Sequence, residues 1–239
     1  MAPGGARESP DVAAGLSAVR DRIAGAGGDP DAVRVVAVTK GFGPDAVLAA
    51  LREGLGDIGE NYAQELLAKH EAVRDAARSP GSDAASDAPD LRWHFLGAVQ
   101  RNKVAALAPV VSCWQGLARA VEGEAIARRR PGAAVLVEVD TTGAPGRNGC
   151  APDAVPALVA DLRADGLDVR GLMTVAPQDE REARNAFRLV RSLADDLGLA
   201  ERSMGMTEDL ELAVAEGSTM VRVGRALFGE RPRRRTTAT

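Results

Sequence analysis

The sequence contains little cysteine and little histidine, with two of each in 239 residues. Cys113 and Cys150 cannot form a disulfide framework, and this predicts a reducing, cytoplasmic location. The four residues show no spacing typical of zinc ligands, so we expect no metal site. The sequence also contains no Walker motif and no convincing dinucleotide-binding fingerprint.

Long apolar runs and an excess of positive charge are also missing. No apolar segment approaches the length of about 20 residues that a transmembrane helix needs. Residues 1–10 do not have the basic-then-apolar order of a secretory signal. The net charge is −4 and the isoelectric point is near 5.4, which is not the footprint of a nucleic-acid-binding protein. We therefore expect no membrane partner and no nucleic-acid partner.

Lysine is scarce as well. It occurs only at positions 40, 69 and 103, so nearly all of the 30 basic residues are arginine. Unlike the guanidinium of arginine, the amine of lysine can form an imine or release a proton near neutral pH, and each lysine is therefore a candidate for chemistry. We expect Lys69 at the surface. Lys40 directly follows the apolar run 35–39, which makes it the better candidate.

Hydrophobic residues make up 45% of the chain and charged residues 27%, as in globular proteins with a sizeable core. We predict strands at 34–39, 57–59, 91–96, 110–113, 134–140, 169–175, 203–205 and 219–223. Predicted helices include 44–53, 62–78, 117–130, 152–165, 180–197 and 208–216. This alternation indicates parallel strands. About eight such units suit a single-domain closed (β/α)8 barrel, the TIM barrel. An open doubly wound sheet is the alternative, because periodicity does not distinguish closure.

Three segments are expected to lie outside the ordered barrel, which we place at 11–230. Residues 1–10 are rich in Gly, Ala and Pro, and we expect a flexible N-terminus. Residues 79–90 are rich in Ser, Asp, Ala and Pro, which predicts a mobile loop. Residues 231–239 carry an arginine cluster and are expected to form a disordered tail.

Lys40 and two late segments combine into a candidate site. A polar residue at the C-terminal end of a barrel strand faces the mouth where active sites form, and partial desolvation there lowers the pKa of an amine and favours imine formation. The segments 203–207 and 221–229 combine hydroxyl groups, glycines and helix starts, as phosphate-binding loops do. By our count they follow strands seven and eight, where barrels often bind phosphate.

The two histidines have different expected surroundings. His94 lies in an apolar strand, and alternation places it on the face opposite Trp93 and Phe95. It is either a hydrogen-bonded core residue or a residue that orients a ligand at the barrel mouth. His70 lies in the middle of a predicted helix and is expected to be exposed.

Several motifs, taken in order, resemble the pyridoxal phosphate homeostasis proteins, also called YggS-type proteins. These motifs are Thr39-Lys40, Gly59-Glu60-Asn61-Tyr62, Trp93-His94-Phe95-Leu96-Gly97, Gly171-Leu172-Met173, Ser203-Met204-Gly205-Met206 and the segment 217–224. The resemblance covers about residues 12 to 230. It implies a barrel similar to the N-terminal domain of alanine racemase.

The resemblance also implies the cofactor and its contacts. Lys40 would carry pyridoxal 5'-phosphate (PLP) as an internal aldimine, and Arg222 would face the pyridine nitrogen. Asn61 and His94 would line the pocket near the ring. The phosphate would be held by Ser203, Gly205, Thr207 and the backbone of Gly224 and Arg225.

Arg222 would make deep carbanion chemistry unfavourable. Arginine keeps its proton, so the ring nitrogen would stay unprotonated and the cofactor would be a weak electron sink. The resemblance therefore implies a PLP carrier in intracellular vitamin B6 homeostasis, without turnover and with apo-PLP enzymes as candidate partners. A PLP-dependent enzyme such as an amino-acid racemase is the alternative, and a class I aldolase is a third. The missing second racemase domain favours a monomer.

Three positions depart from the usual pattern of this family. Asp140 stands where asparagine is commoner, and Thr207 stands where serine is commoner. Arg147 replaces a frequent lysine. The hydroxyl and the positive charge are kept, so phosphate binding is expected to survive. Imine exchange through position 147 is lost, because a guanidinium does not form imines.

Overall fold

Helices and strands alternate along the chain in a computed structural model that describes residues 11–78 and 90–231. Within these residues there are eight strands and nine α-helices. The strands are β1 (Arg34–Val38), β2 (Asp57–Glu60), β3 (Arg92–Phe95), β4 (Val111–Leu117), β5 (Ala134–Glu138), β6 (Asp168–Met173), β7 (Glu201–Ser203) and β8 (Met220–Val223). The helices are α1 (Val12–Gly25), α2 (Pro44–Arg52), α3 (Ala63–Ala77), α4 (Arg101–Leu107), α5 (Ala120–Ala127), α6 (Val155–Ala164), α7 (Glu180–Asp196), α8 (Leu210–Ala215) and α9 (Arg225–Phe228).

The flexible N-terminus and almost all of the mobile loop and disordered tail predicted above lie outside the described residues. Only Asp90 and Arg231, at the edges of those segments, are described. In the described part, no helix is both long enough and apolar enough to cross a bilayer.

The strands close into a parallel barrel. Each strand pairs with the next one along the chain, and β8 returns to pair with β1, with Arg34 opposite Met220 and Ala37 opposite Val223. This confirms the predicted (β/α)8 barrel and excludes the open sheet. Closure brings the C-terminal ends of all strands to one mouth.

Side chains alternate between the two faces of each strand. Val135 and Val137 belong to the large apolar cluster that also contains residues of the surrounding helices. Leu136, between them, belongs to a small separate cluster with Cys113 and Met173. Because neighbouring side chains point to opposite faces, the small cluster lies inside the barrel.

Helix α7 shows how the sequence specifies the outer layer. The side chain of Asp179 caps its N-terminus by accepting a hydrogen bond of 2.9 Å from the Glu182 amide. Its buried residues recur every three or four positions, namely Ala183, Ala186, Phe187, Val190 and Ala194. This spacing gives one apolar face toward the barrel. Loss of the cap would cost about 1 kcal/mol, whereas truncation of Phe187 to alanine would cost about 3–5 kcal/mol.

The predicted boundaries of β4 and β7 are wrong, and β5 and β6 each end two residues earlier than predicted, at Glu138 and Met173. β4 continues to Leu117 rather than ending at residue 113, with a shift in register against β5 between Trp114 and Leu117. Gly116 permits this continuation because a Cβ there would collide with the Gly97 carbonyl oxygen.

β7 ends at Ser203 rather than beginning there, since Gly205 turns the chain with a φ of +90°.

His70 is not fully exposed as predicted. It is half-buried on α3, and its Nδ1 accepts a hydrogen bond of 3.2 Å from the Trp93 indole nitrogen. The physical reason is that a buried indole N–H needs an acceptor, and α3 packs beside β3 where His70 supplies it.

Candidate functional site

A cavity of about 1000 Å³ lies at the C-terminal mouth of the barrel. It is lined by six of the nine predicted site residues, namely Lys40, Asn61, Thr207, Arg222, Gly224 and Arg225. Arg147, Arg184 and Arg231 also line it, together with apolar side chains such as Leu96, Met173 and Val175. The structure therefore brings the end of β1 together with the loops that follow β7 and β8.

Lys40 lies two residues beyond the end of β1 and is half-buried. Burial lowers the pKa of its amine from the ordinary value, and the positive charges of Arg231 and Arg222 lower it further. The carboxylate of Glu60 opposes this shift. A lowered pKa increases the neutral fraction of the amine, and the neutral amine is the nucleophilic form.

Lys69 is not at the surface, and this corrects the prediction. It lies on α3 and its side chain is only 6% exposed, because it forms an ion pair with the fully buried carboxylate of Glu60. Its Nζ also donates to the carbonyl oxygen of Thr39 at 2.7 Å, and the Thr39 hydroxyl donates to Glu60 at 2.6 Å. Lys69 and Glu60 therefore hold the backbone residue that immediately precedes Lys40.

Arg222 lies on β8 and is buried, with 5% of its surface exposed. One guanidinium nitrogen, Nη1, donates to the carbonyl oxygen and the hydroxyl oxygen of Ser203 at 2.6 and 2.8 Å, and Nη2 donates to the carbonyl oxygen of Thr174 at 2.7 Å. These bonds use three of the five N–H groups of the side chain. No carboxylate of the described residues forms an ion pair with it.

The charge of Arg222 is therefore buried beside neutral acceptors only. Burial lowers the pKa of Arg222 to about 10, and the more distant carboxylates of Glu138 and Asp209 oppose that shift. The side chain still carries its charge at neutral pH. A buried, incompletely bonded cation on a cavity wall is suited to an acceptor atom or an anionic ligand.

His94, Ser203 and Gly205 are not among the residues that line the cavity, and this corrects the expected position of His94. His94 is 2% exposed inside the barrel, with Nε2 2.8 Å from Asp57 and Nδ1 2.7 Å from Gln115. It is the hydrogen-bonded core histidine of the two alternatives, because β3 ends further along toward the mouth. Ser203 is fully buried.

The loop after β7 is held from outside by α1. Arg22 donates to the carbonyl oxygen of Thr207 at 2.7 Å and also pairs with Glu211 on α8. Within the loop, the Met206 amide donates to Asp209 at 2.6 Å. The left-handed φ of Gly205 lets the chain turn back toward α8, where a Cβ would approach the Ala213 methyl carbon to 2.6 Å. Thr207 is thereby fixed on the cavity wall.

The loop after β8 approaches β1 closely. A Cβ at Gly224 would lie 3.0 Å from the carbonyl oxygen of Val38, so a larger residue would press against the last residue of β1, just before Lys40. Arg225 begins α9 and its side chain pairs with Glu208. Thr207, Gly224 and Arg225, which carry a hydroxyl group and backbone amides, all line the cavity.

One buried polar atom at the cavity has no partner. The side-chain oxygen of Asn61, just after β2, is buried and accepts no hydrogen bond in the described part of the chain. Since buried polar atoms are nearly always hydrogen-bonded, this oxygen indicates a ligand donor. Residues 11–78 and 90–231 contain no group of three or more side chains that could hold a metal ion.

Sequence reasoning missed several residues near the site. The sequence marks Arg147 only as a departure from a family pattern, yet Arg147 lines the cavity and its guanidinium donates to the Val175 carbonyl oxygen at 2.8 Å. Gln115 lies beyond the predicted end of β4, although a polar residue within an apolar run is a usable signal. Arg231 was assigned to the tail, and no sequence signal places it beside Lys40.

Comparison with known proteins agrees with this geometry. Residues 16–232 match the family model described as "Alanine racemase, N-terminal domain". A pyridoxal phosphate homeostasis protein of Deinococcus radiodurans is 40% identical over 225 residues, covering 91% of this chain and 99% of the relative. One of Escherichia coli K12 is 31% identical over 240 residues, covering 92% and 97%. The chain belongs to the pyridoxal phosphate homeostasis protein family.

Solved structures lead to the same family and fold. PipY of Synechococcus elongatus with PLP bound is 30% identical, with a TM-score of 0.73 over 88% of this chain and all of that chain. Alanine racemase from Corynebacterium glutamicum is 17% identical, with a TM-score of 0.65 over 94% of this chain and 63% of that chain. The second likeness shows the barrel fold alone.

Proposed function

We propose that this family member binds PLP through Lys40 and acts as a carrier in intracellular PLP homeostasis rather than as a PLP-dependent enzyme. The observation that carries the proposal is that a half-buried amine of lowered pKa and a buried arginine without an acid partner line the same cavity. The relatives named above, and PipY with PLP bound, support it.

The residues of the cavity fit this cofactor. When bound, PLP supplies an aldehyde that condenses with a primary amine with loss of one water, and Lys40 is the amine available. The uncommitted N–H groups of Arg222 match the ring nitrogen, which is an acceptor. Thr207 and the amides of Gly224 and Arg225 are the donors that a phosphate requires.

The remaining predicted residues take supporting places in the proposal. Asn61 lies near the ring, where its unpartnered oxygen can accept a hydrogen bond. Gly205 shapes the loop that carries Thr207. We place Ser203 and His94 behind Arg222, because neither lines the cavity.

The identity of the residue facing the ring nitrogen favours a carrier over a racemase. Arg222 donates and keeps its proton, so the nitrogen stays unprotonated and electron withdrawal by the ring is weak. A racemase also needs a second base opposite the lysine. Tyr62 is 61% exposed and is not among the residues that line the cavity. We further propose a cytoplasmic monomer that supplies apo-PLP enzymes, a location supported by the free thiols of Cys113 and Cys150.

The direct test is the visible spectrum of the purified protein after addition of PLP, followed by borohydride reduction and peptide mass spectrometry. We expect an imine absorbance band and a reduced adduct at Lys40. Lys40→Ala should lose the band and keep its fold, whereas Lys103→Ala on α4 should keep both. A protein that stays colourless, or an adduct at Lys69 or Lys103, would contradict the proposal.

The same preparations separate the carrier from the enzymes. A carrier leaves the optical activity of L-alanine at the background rate in the presence of PLP, whereas a racemase removes it catalytically. A class I aldolase would show no PLP-like band.

A further inference from the structure

A continuous chain of hydrogen bonds runs from Arg222 into the barrel interior. Arg222 Nη1 donates to the hydroxyl oxygen of Ser203 at 2.8 Å, and that hydroxyl donates to Gln115 Oε1 at 2.7 Å. Gln115 Nε2 is 2.7 Å from Nδ1 of His94. All four side chains are buried, and they come from four different strands, β8, β7, β4 and β3.

The chain ends at the opposite end of the barrel. His94 Nε2 is 2.8 Å from Oδ1 of Asp57, the first residue of β2. Arg92 then donates to both oxygens of that carboxylate, at 2.9 and 2.7 Å, from a side chain that is 49% exposed. The path from Arg222 to Asp57, which we name the Arg222–Asp57 chain, therefore links the cavity wall to an ion pair at the N-terminal end of the barrel.

Every bond in this chain has the same direction. A guanidinium only donates, so Ser203 accepts and its single hydrogen goes to Gln115. The amide group of Gln115 then faces Nδ1 of His94, which must accept. His94 therefore carries its hydrogen on Nε2 and donates to Asp57. The carboxylate of Asp57, paired with Arg92, is the acceptor that fixes this order.

We propose that Gln115 and His94 are positioning residues that set the orientation of Arg222 toward the bound cofactor. Among the described residues Arg222 has no carboxylate partner, so neutral acceptors alone decide where its remaining N–H groups point. Gln115 takes the hydrogen of Ser203 and thereby keeps the hydroxyl lone pair directed at Arg222. This inference rests on the proposed function, because it concerns the hydrogen bond between Arg222 and the ring nitrogen of PLP.

The direction of these hydrogen bonds predicts what happens when the Arg222–Asp57 chain is broken. Without Gln115, the Ser203 hydroxyl is free to rotate, and its hydrogen rather than its lone pair can face Arg222. The guanidinium would then turn toward its other acceptors and misalign with the ring nitrogen. We expect PLP binding to weaken about tenfold, equivalent to about 1.4 kcal/mol.

The test uses Gln115→Leu and His94→Phe, which break the chain at successive links, with Cys113→Ala as the matched control. Cys113 is buried on β4 two residues before Gln115, and it belongs to the interior apolar cluster rather than to the chain. The readouts are the PLP dissociation constant and the 15N resonance of ring-labelled PLP. The resonance reports the hydrogen bond at the ring nitrogen, which a merely structural role would not change.

We expect Gln115→Leu and His94→Phe to weaken PLP binding and to move the 15N resonance toward that of a ring nitrogen without a hydrogen bond. Cys113→Ala should leave the resonance at the wild-type position. Ser203→Ala removes one hydroxyl without disturbing strand packing, and combining it with Gln115→Leu should weaken binding no further, since both act through one chain. Unchanged resonances, or additive losses, would overturn the inference. Failure of the unsubstituted protein to bind PLP would instead refute the proposed function.

Discussion

Replacement of Lys69 by methionine removes the positive half of the ion pair beneath Lys40. Methionine fills a similar space but leaves Glu60 buried with only the Thr39 hydroxyl as a partner. The second oxygen of that carboxylate has no hydrogen bond even with Lys69 present. Removing one partner of a buried ion pair costs about 3–5 kcal/mol. We therefore expect Lys69→Met to lower the free energy of unfolding at neutral pH by about 3 kcal/mol or more.

The effect should depend on pH in a defined direction. Burial already raises the pKa of Glu60 in the folded protein, with the hydrogen bonds from Lys69 and Thr39 opposing the shift. Without Lys69 this pKa rises further above its unfolded value. A group whose pKa is raised by folding stabilises the folded protein fully below its pKa in the unfolded state. This stability is lost as the pH rises through its pKa in the folded state. The deficit of Lys69→Met should therefore shrink as the pH falls from neutral toward 4.

The measurement is urea unfolding followed by tryptophan fluorescence, since Trp93 and Trp114 are both buried. Two controls accompany it. Lys103→Met removes a lysine for which the described residues supply no ion-pair partner, and it should stay within about 0.5 kcal/mol of the unsubstituted protein. Glu60→Gln combined with Lys69→Met removes both charges and should cost less than Lys69→Met alone. Equal stabilities of Lys69→Met and Lys103→Met would refute the reasoning.

Two further predictions concern the amine and the strand packing. Arg231→Gln should raise the pKa of Lys40, because Arg231 has the largest effect among the charges that lower it, and the PLP absorbance band should therefore appear more slowly at neutral pH. Arg184→Gln is the control, since Arg184 lines the same cavity but is paired with Glu216, and it should leave the rate unchanged. Equal rates for the two variants would contradict this prediction. Gly171→Ala should destabilise the protein by about 1–3 kcal/mol, because its Cβ would collide with the Glu201 carbonyl oxygen. Gly25→Ala, with nothing within 4 Å of the added carbon, should be neutral or slightly stabilising in thermal unfolding.

The sequence alone predicted the barrel and the position of Lys40 for one reason. Apolar runs of strand length alternating with amphipathic helices leave few topologies, and a polar residue at a strand end must face the mouth. Strand ends were harder to predict. β4 extends through Gln115 and Gly116, which read as the end of a strand, because contact with neighbouring strands rather than local preference decides where pairing stops.

Contacts between elements distant in sequence could not be predicted in the same way. Alternation places His94 on the opposite face from Trp93 and Phe95, and the structure agrees, since both aromatic residues belong to the large apolar cluster shared with the surrounding helices. The position of His94 along the barrel axis depends on the register of β3 against β2 and β4, and hydrophobic periodicity does not predict that register. The same is true of Lys69, whose burial depends on how α3 packs over the end of β1.

The cations at the mouth of the barrel contrast with the rest of the molecule. Lys40, Arg147, Arg222 and Arg231 all line the cavity, and none of them pairs with a carboxylate among the described residues, while the whole chain has a net charge of −4. These unpaired cations would therefore attract a doubly charged anion to this entrance, although Glu180, Glu208, Asp209 and Glu211 also line the cavity. Such steering speeds encounter and weakens as added salt screens it, so capture of a phosphate ester should slow with ionic strength far more than its release.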